Sequence, residues 1–206
     1  MSVVIAGIHT GIGKTICSSV LCQALGYDYW KPVQAGELQN TDSHFIEHNT
    51  SNGRIKIHPE TYRLKTAASP HYAAALEGIQ IQKEQLILPS STNNIIVETA
   101  GGLMSPLANN FLNIDLVKQL QLPVVLVSNS YLGSINHSLL SVEALQNRNI
   151  PILGLVFSGA ENKPSQEFIL QYTKLPLLFS IPLFDELNVK AIGQFASRIP
   201  LNILNP

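Results

Sequence analysis

The sequence predicts an α/β fold, a mostly parallel sheet with helices on both faces, packed as a single domain over residues 1–206. Three observations carry that expectation. First, the apolar run Val3-Val4-Ile5-Ala6 enters a glycine-rich stretch, Gly7-Ile8-His9-Thr10-Gly11-Ile12-Gly13-Lys14-Thr15, which opens into apolar residues at helical spacing: Ile16, Cys17, Val20, Leu21, Ala24 and Leu25. Second, short apolar runs at 2–6, 27–31, 94–98, 123–128, 152–157 and 177–181 alternate with amphipathic segments, as buried parallel strands alternate with their covering helices. Third, polar residues suited to chemistry stand at or just after the ends of those runs, where open parallel sheets bind ligands.

Taken in order, the run at 2–6 is followed by a helix over 14–25, and the run at 27–31 by a helix over 42–48. The stretch 49–65, rich in Asn, Ser, Lys and Arg, reads as a surface excursion before a helix over 69–77. Strands at 94–98, 123–128, 152–157 and 177–181 then alternate with helices over 111–121, 134–147, 164–173 and near 188–198. Pro123, Pro151 and Pro176 sit at or before strand starts, where a missing N–H costs a ladder least. No low-complexity tract, charge block or repeat interrupts the pattern.

With 206 residues and 45% hydrophobic content the chain can bury a large core without a disulfide or metal staple. A net charge of −1 offers no electrostatic attraction for nucleic acid or an anionic membrane. The apolar runs are shorter than a bilayer span and the first residues lack the basic flank of a signal peptide, so a cytoplasmic location is expected. Cys17 and Cys22 have no CxxC spacing and read as small buried apolar groups, and the six histidines show no zinc-ligand spacing.

Strand, glycine-rich turn and a helix with Lys-Thr in its first turn form the context of a phosphate-binding loop, hence a P-loop NTPase-type sheet. Glycines let backbone N–H groups turn onto phosphate oxygens, and the helix start adds unpaired donors. Lys14 is expected at the β- and γ-phosphates and Thr15 on Mg²⁺. The spacing is unusual, with five residues between Gly7 and Gly13 in place of four.

Four strand ends follow. Lys31, in Lys31-Pro32-Val33-Gln34-Ala35-Gly36, could bring a second positive charge to the phosphates, hold an anionic group of a substrate, or be a surface lysine. Asp42, after a candidate N-cap Thr41, could be a metal ligand or compensate the helix dipole. Glu98, in Ile95-Ile96-Val97-Glu98-Thr99-Ala100-Gly101-Gly102, could be a solvated acid in a glycine-rich turn; it would be costly to bury beside an apolar run without a cation, and a metal shared with Thr15 removes that cost. Leu132-Gly133-Ser134-Ile135-Asn136-His137 is another glycine entry into a helix, able to hold a carboxylate on its amides or simply to start the helix.

These stretches, with Ser69-Pro70-His71 and Leu103 ahead of Pro106-Leu107, occur in an order that resembles the ATP-dependent dethiobiotin synthetases of biotin biosynthesis, from residue 3 to about residue 185. The wide phosphate loop is a feature of that family. The resemblance implies a homodimeric ligase that closes the ureido ring of dethiobiotin from 7,8-diaminopelargonic acid, CO₂ and MgATP, through a carbamate and a carbamic-phosphoric anhydride. It implies that Lys31 and Lys14 are catalytic. Gly11, Ile12, Gly13, Lys14, Thr15 and Ile16 would wrap the phosphates, and Thr15, Asp42 and Glu98 would hold Mg²⁺. Thr99, Ala100 and Gly101 would follow the nucleotide, while Ser158, Pro182, Leu183 and Phe184 would border the adenine. The substrate would meet Lys31 and Ala35, with its carboxylate on Gly133, Ser134, Ile135 and Asn136 across the dimer interface.

This chain also departs from the family pattern. Ile8 and His9 replace a usual Thr-Asp pair, Gly11 an acid, Ala35 a hydroxyl residue, and Thr99 a glycine. Ser158-Gly159 stands where an Asn often reads adenine, so weaker selection of ATP over other nucleoside triphosphates is expected. Three other readings compete. A cobyrinate-type amidoligase would normally carry a glutaminase domain, for which the length leaves no room. A partition-type or septum-positioning ATPase switch would show a lysine early in the loop, and none precedes Lys14. An inactive family member is the third.

Overall fold

The computed structural model describes residues 1–204. Its elements, in chain order, begin with β1 (Val3–Gly7), α1 (Lys14–Leu25), β2 (Asp28–Trp30), β3 (Val33–Ala35), α2 (Asp42–Asn49), β4 (Ile57–His58), β5 (Tyr62–Leu64) and α3 (Pro70–Leu76). They continue with β6 (Ile95–Gly102), β7 (Pro106–Ala108), β8 (Phe111–Leu112), α4 (Asn113–Leu120), β9 (Val124–Asn129), α5 (Ser134–Gln146), β10 (Ile152–Ser158), α6 (Lys163–Thr173), β11 (Leu177–Ile181) and α7 (Val189–Ala196).

The main sheet has seven strands in the order β11-β10-β9-β1-β6-β2-β4, and every recorded pairing in it is parallel. β1 is central, fully buried, and flanked by β6 and β9, which are themselves rich in Val, Ile and Leu. Such uninterrupted apolar strands fit a sheet covered on both faces. All the strand ends that carry candidate groups therefore open on one edge. The helices expected from periodicity form within two residues or so of the expected bounds. Gly13 starts α1 with φ 93° and Gly26 ends it with φ 68°, left-handed conformations that glycine adopts without strain. Thr41 caps α2 as expected, its hydroxyl accepting from His44 N–H.

Three expectations need correction. The excursion 49–65 is not wholly surface: β4 lies inside it and joins the sheet edge, and β5 pairs with β3 in a separate two-stranded ribbon. The strand expected at 94–98 runs on to Gly102, so Glu98 sits within β6 rather than at its tip. The helix expected from 111 starts at Asn113, because Phe111 pairs back on Ala108 in an antiparallel turn. A second, smaller apolar cluster, including Val33, Leu64, Ala73, Leu86, Leu107 and Phe111, packs beneath these short ribbons. Cys17 and Cys22 are buried free thiols, and burial pushes both thiols up, away from reactivity. No helix among the described residues is long and apolar enough to cross a membrane.

Candidate active site

The groups at the sheet edge meet around the start of α1. Thr15 Oγ1 lies 2.7 Å from Asp42 Oδ1 and 2.8 Å from Glu98 Oε1. A hydroxyl has one proton, so it can donate to only one of those carboxylates at a time. The other oxygen faces it lone pair to lone pair, a contact that a cation between the three groups would resolve. Two carboxylates and a hydroxyl are also the sparse oxygen set that Mg²⁺ takes when nucleotide phosphates complete its shell. The residues thus fit a magnesium ion. No cluster of three or more His, Cys, Asp or Glu side chains offers a fuller metal cage among the described residues.

Two lysines complete the charge pattern. Lys31, buried at the end of β2, pairs with Asp42 Oδ2, and its Nζ is 3.8 Å from Glu98 Oε1. Burial lowers its pKa against the pull of Glu98 and Glu60. Lys14 is buried too and donates to the His9 carbonyl at 3.2 Å. Burial brings it down to about 8, with Glu98 opposing and Lys31 adding to the shift. The plain readings of Lys31 as a surface residue and of Glu98 as a solvated one are therefore excluded, since each is under a tenth exposed.

Glu98 is held from behind by residues that sequence reasoning did not single out. Its Oε2 accepts from Ser18 Oγ at 2.7 Å and from Tyr29 Oη at 3.0 Å. Burial, the charge of Glu98 and this hydrogen bond raise the Tyr29 phenol well above its ordinary range, so it stays a donor. Asn113, completely buried, donates through Nδ2 to the carbonyls of Ala100 at 2.6 Å and Gly102 at 2.9 Å, bracing the glycine end of β6. Nothing in the local pattern marks Ser18 or Tyr29. Both read as ordinary members of a helix and an apolar run.

A cleft of about 480 Å³ opens beside these groups, lined by Lys31, Asp42, Ala35, Thr10, Ala100 and Gly101 among others. Thr99 does not face it. That side chain is buried, its hydroxyl near the carbonyls of Ile5 and Gly101 at 3.4 Å. Gly11 is exposed, with φ 70° and open space where a side chain would project. Ile12 is buried and Ile16 half-buried against the core.

On the other side of the loop, Ser158 ends β10 against Gly13, whose added Cβ would lie 2.2 Å from Ser158 Oγ. Ser158 thus supports the phosphate loop from below and requires glycine there. Pro182 and Leu183 are exposed just past β11, next in register to Ser158, and Phe184 packs edge-on against Phe195. The Gly133–Asn136 turn is not brought into the Lys31 cleft. Gly133 and Asn136 are exposed at the start of α5, and Ser134 is buried. His137, the next residue, faces a neighbouring trough of about 440 Å³ shared with His9, Thr10, Ser105 and Leu140. There the His9 and His137 rings stack with centroids 6.3 Å apart.

A family model described as an AAA domain matches residues 1–191. The relative in Brucella ovis named ATP-dependent dethiobiotin synthetase BioD is 40% identical over 195 residues, covering 95% of this chain and 92% of its own. A protein of the same name in Cytophaga hutchinsonii is 42% identical over 196 residues, covering 95% of each chain. Among solved structures, a ParA family ATPase from Chlorobium tepidum superposes with a TM-score of 0.59 at 11% identity, over 97% of this chain and 100% of that one. The MinC:MinD cell division protein complex of Aquifex aeolicus gives 0.59 at 15% identity, over 98% and 93%. At such identities the likeness speaks for the fold alone, and it bears out the P-loop NTPase-type sheet.

Proposed function

This chain belongs to the ATP-dependent dethiobiotin synthetase family, enzymes of biotin biosynthesis, and we propose that it carboxylates and cyclises 7,8-diaminopelargonic acid with CO₂ to dethiobiotin, releasing ADP and phosphate. One observation carries the mechanistic reading: Lys31, Asp42 and Glu98 converge from separate elements on Lys14 and Thr15 at the start of α1.

One substrate amine adds to CO₂ and, as its nitrogen loses a proton to solvent, forms a carbamate. A carbamate oxygen then attacks the γ-phosphorus of ATP, and the bond to ADP breaks. The second amine attacks the carbonyl of the resulting anhydride, phosphate leaves, and the ring closes as that nitrogen loses its proton. Little of this needs covalent help from the protein, and positioning with charge neutralisation accounts for most of the acceleration.

The residues divide that work. Gly11 to Ile16 wrap the phosphates with backbone N–H groups, and Lys14 draws the β- and γ-oxygens together. Lys31, at the cleft wall, faces both the carbamate and the transferring phosphoryl, exchanging Asp42 for these anions. Thr15, Asp42 and Glu98 would hold Mg²⁺, which would neutralise charge on the phosphate oxygens. The diamine lies along Lys31 and Ala35, while Ala100 and Gly101 follow the nucleotide. Ser158 and Pro182–Phe184 lie on the adenine side, where the missing Asn leaves the base weakly selected.

The enzyme works as a homodimer of this single domain, the Gly133–Asn136 turn of the partner subunit holding the substrate carboxylate. The exposed Met104, Leu132 and Leu140 near that turn support such an interface. Its place is the cytoplasm, without nucleic acid or membrane as partner. The deciding experiment is mass detection of dethiobiotin from purified protein given 7,8-diaminopelargonic acid, bicarbonate and MgATP. ATP hydrolysis without that product would favour an ATPase switch, and neither activity an inactive member.

A further inference from the structure

Glu98 has two oxygens with different surroundings. Oε1 faces Thr15 Oγ1 at 2.8 Å and Lys31 Nζ at 3.8 Å. Oε2 is turned into the core, where Ser18 Oγ lies at 2.7 Å and Tyr29 Oη at 3.0 Å. Ser18 is a divided donor, since its Oγ also lies 3.0 Å from the Lys14 carbonyl. Tyr29 is undivided: Glu98 is the only hydrogen-bond partner of its hydroxyl among the described residues. The Tyr29 side chain is wholly buried in β2, between β6 and β4, where a phenylalanine would fill the same space without a polar group to satisfy.

We propose that Tyr29, assisted by Ser18, is a positioning residue for the metal: the two hydroxyls fix Oε2 so that Glu98 presents Oε1, in one orientation, to the cation beside Thr15 and Asp42. This rests on the metal role given to Glu98 under the proposed function. A carboxylate held at one oxygen loses the freedom to rotate about its last bond, so less order remains to be imposed when the cation arrives. Partners that orient a metal ligand in this way are commonly worth roughly 10- to 100-fold in metal affinity.

The test compares Tyr29→Phe, Ser18→Ala and Glu98→Gln with the parent protein. Two quantities are measured: Mn²⁺ binding to the protein–ADP complex by electron paramagnetic resonance, and ADP binding in excess EDTA by calorimetry. Tyr29→Phe should weaken Mn²⁺ by about 10-fold or more, while metal-free ADP binding stays within about twofold. The Mg²⁺ concentration for half-maximal rate should rise by the same factor, and saturating Mg²⁺ should restore turnover. A merely structural tyrosine would instead lower thermal stability and affect both binding measurements or neither. Mn²⁺ affinity unchanged in Tyr29→Phe but weakened in Glu98→Gln overturns the inference and leaves the metal assignment standing. Affinity unchanged in Glu98→Gln as well overturns both. If Tyr29→Phe does not fold, Ser18→Ala decides: a loss of about threefold or more supports the proposal, and none overturns it.

Discussion

Asp28 and Glu98 lie on the neighbouring strands β2 and β6, and both are almost inaccessible, at 2% and 1% exposure. Asp28 stands at the amino end of the sheet. Its Oδ1 accepts from the Lys56 N–H at 3.0 Å and Asn93 Nδ2 at 3.1 Å, while its Oδ2 meets Ser91 Oγ at 2.7 Å and His58 Nε2 at 3.1 Å. Glu98 sits toward the carboxyl end, with two core hydroxyls on one oxygen and a shared hydroxyl and a lysine facing the other. The first acid has all its partners in place, and none of them lines the cleft beside Lys31. The second is incompletely neutralised on the side that faces Thr15 and Lys31. Burial of a carboxylate therefore does not by itself mark a site. An acid whose countercharge is supplied from the cleft does.

The largest effects should come from the lysines that balance the second acid. Lys31→Ala and Lys14→Ala are each expected to lower dethiobiotin formation about 1,000-fold or more, as removal of a phosphoryl-stabilising cation does. Lys31→Ala should leave ATP binding nearly intact by calorimetry, whereas Lys14→Ala should not. Wild-type product formation by Lys31→Ala would remove the mechanistic assignment.

Asp28→Ala should do the reverse, costing about 3 kcal/mol of stability in denaturant titration by breaking a buried, hydrogen-bonded charge. Below the melting range its turnover should stay close to that of the parent. A turnover defect as large as that of the lysine variants would mean that the two ends of the sheet are not separable.

Glu98→Gln should raise the Mg²⁺ requirement at least as much as Tyr29→Phe does, by about 10-fold or more. A coincident Mg²⁺ titration would make Glu98 a second Asp28, buried for structure alone.

Acid should distinguish the two ends further. Burial alone would raise the Asp28 carboxyl, but its hydrogen bonds from Ser91, Lys56, His58 and Asn93 more than offset this and hold it below its ordinary value. A depressed carboxylate contributes stability above its unfolded pKa and loses it as pH falls through the folded one. Unfolding free energy should thus decline below about pH 4, less steeply in Ser91→Ala. Equal acid sensitivity in Asp28→Asn and the parent would contradict this.

The smallest effect concerns the base. Replacing ATP by GTP or CTP should lower the rate by less than about 10-fold, a modest penalty for a site without a bidentate amide. Turnover with ATP alone would show that the base is read elsewhere.

The regular elements were legible because runs of five or more residues carry a period. β3, β4, β5, β7 and β8, with two or three residues each, are too short to carry one, and β4 was hidden in polar surroundings. Glu98, Lys31 and Asp42 were legible from chemistry at strand ends. Asp28 was not, because two of its side-chain partners, Ser91 and Asn93, lie more than sixty residues away in the chain. Family pattern places Thr99 on the nucleotide, yet its hydroxyl is turned inward beside β1. Tyr29 was read as one more apolar residue, since its hydroxyl matters only once β2 and β6 are paired.

The order of the main sheet has a further consequence at its margins. Its outermost strands are β4, of two residues, and β11, bracketed by Pro176 and Pro182. A strand that short offers a neighbouring molecule too few free N–H and C=O groups to continue a ladder, and proline at both ends stops the other from lengthening. The His58–Asp28 contact ties β4 down at its single buried residue. An apolar, parallel sheet of this width would otherwise be a template for fibrillar stacking, and the chain keeps it from growing sideways by curtailing both borders.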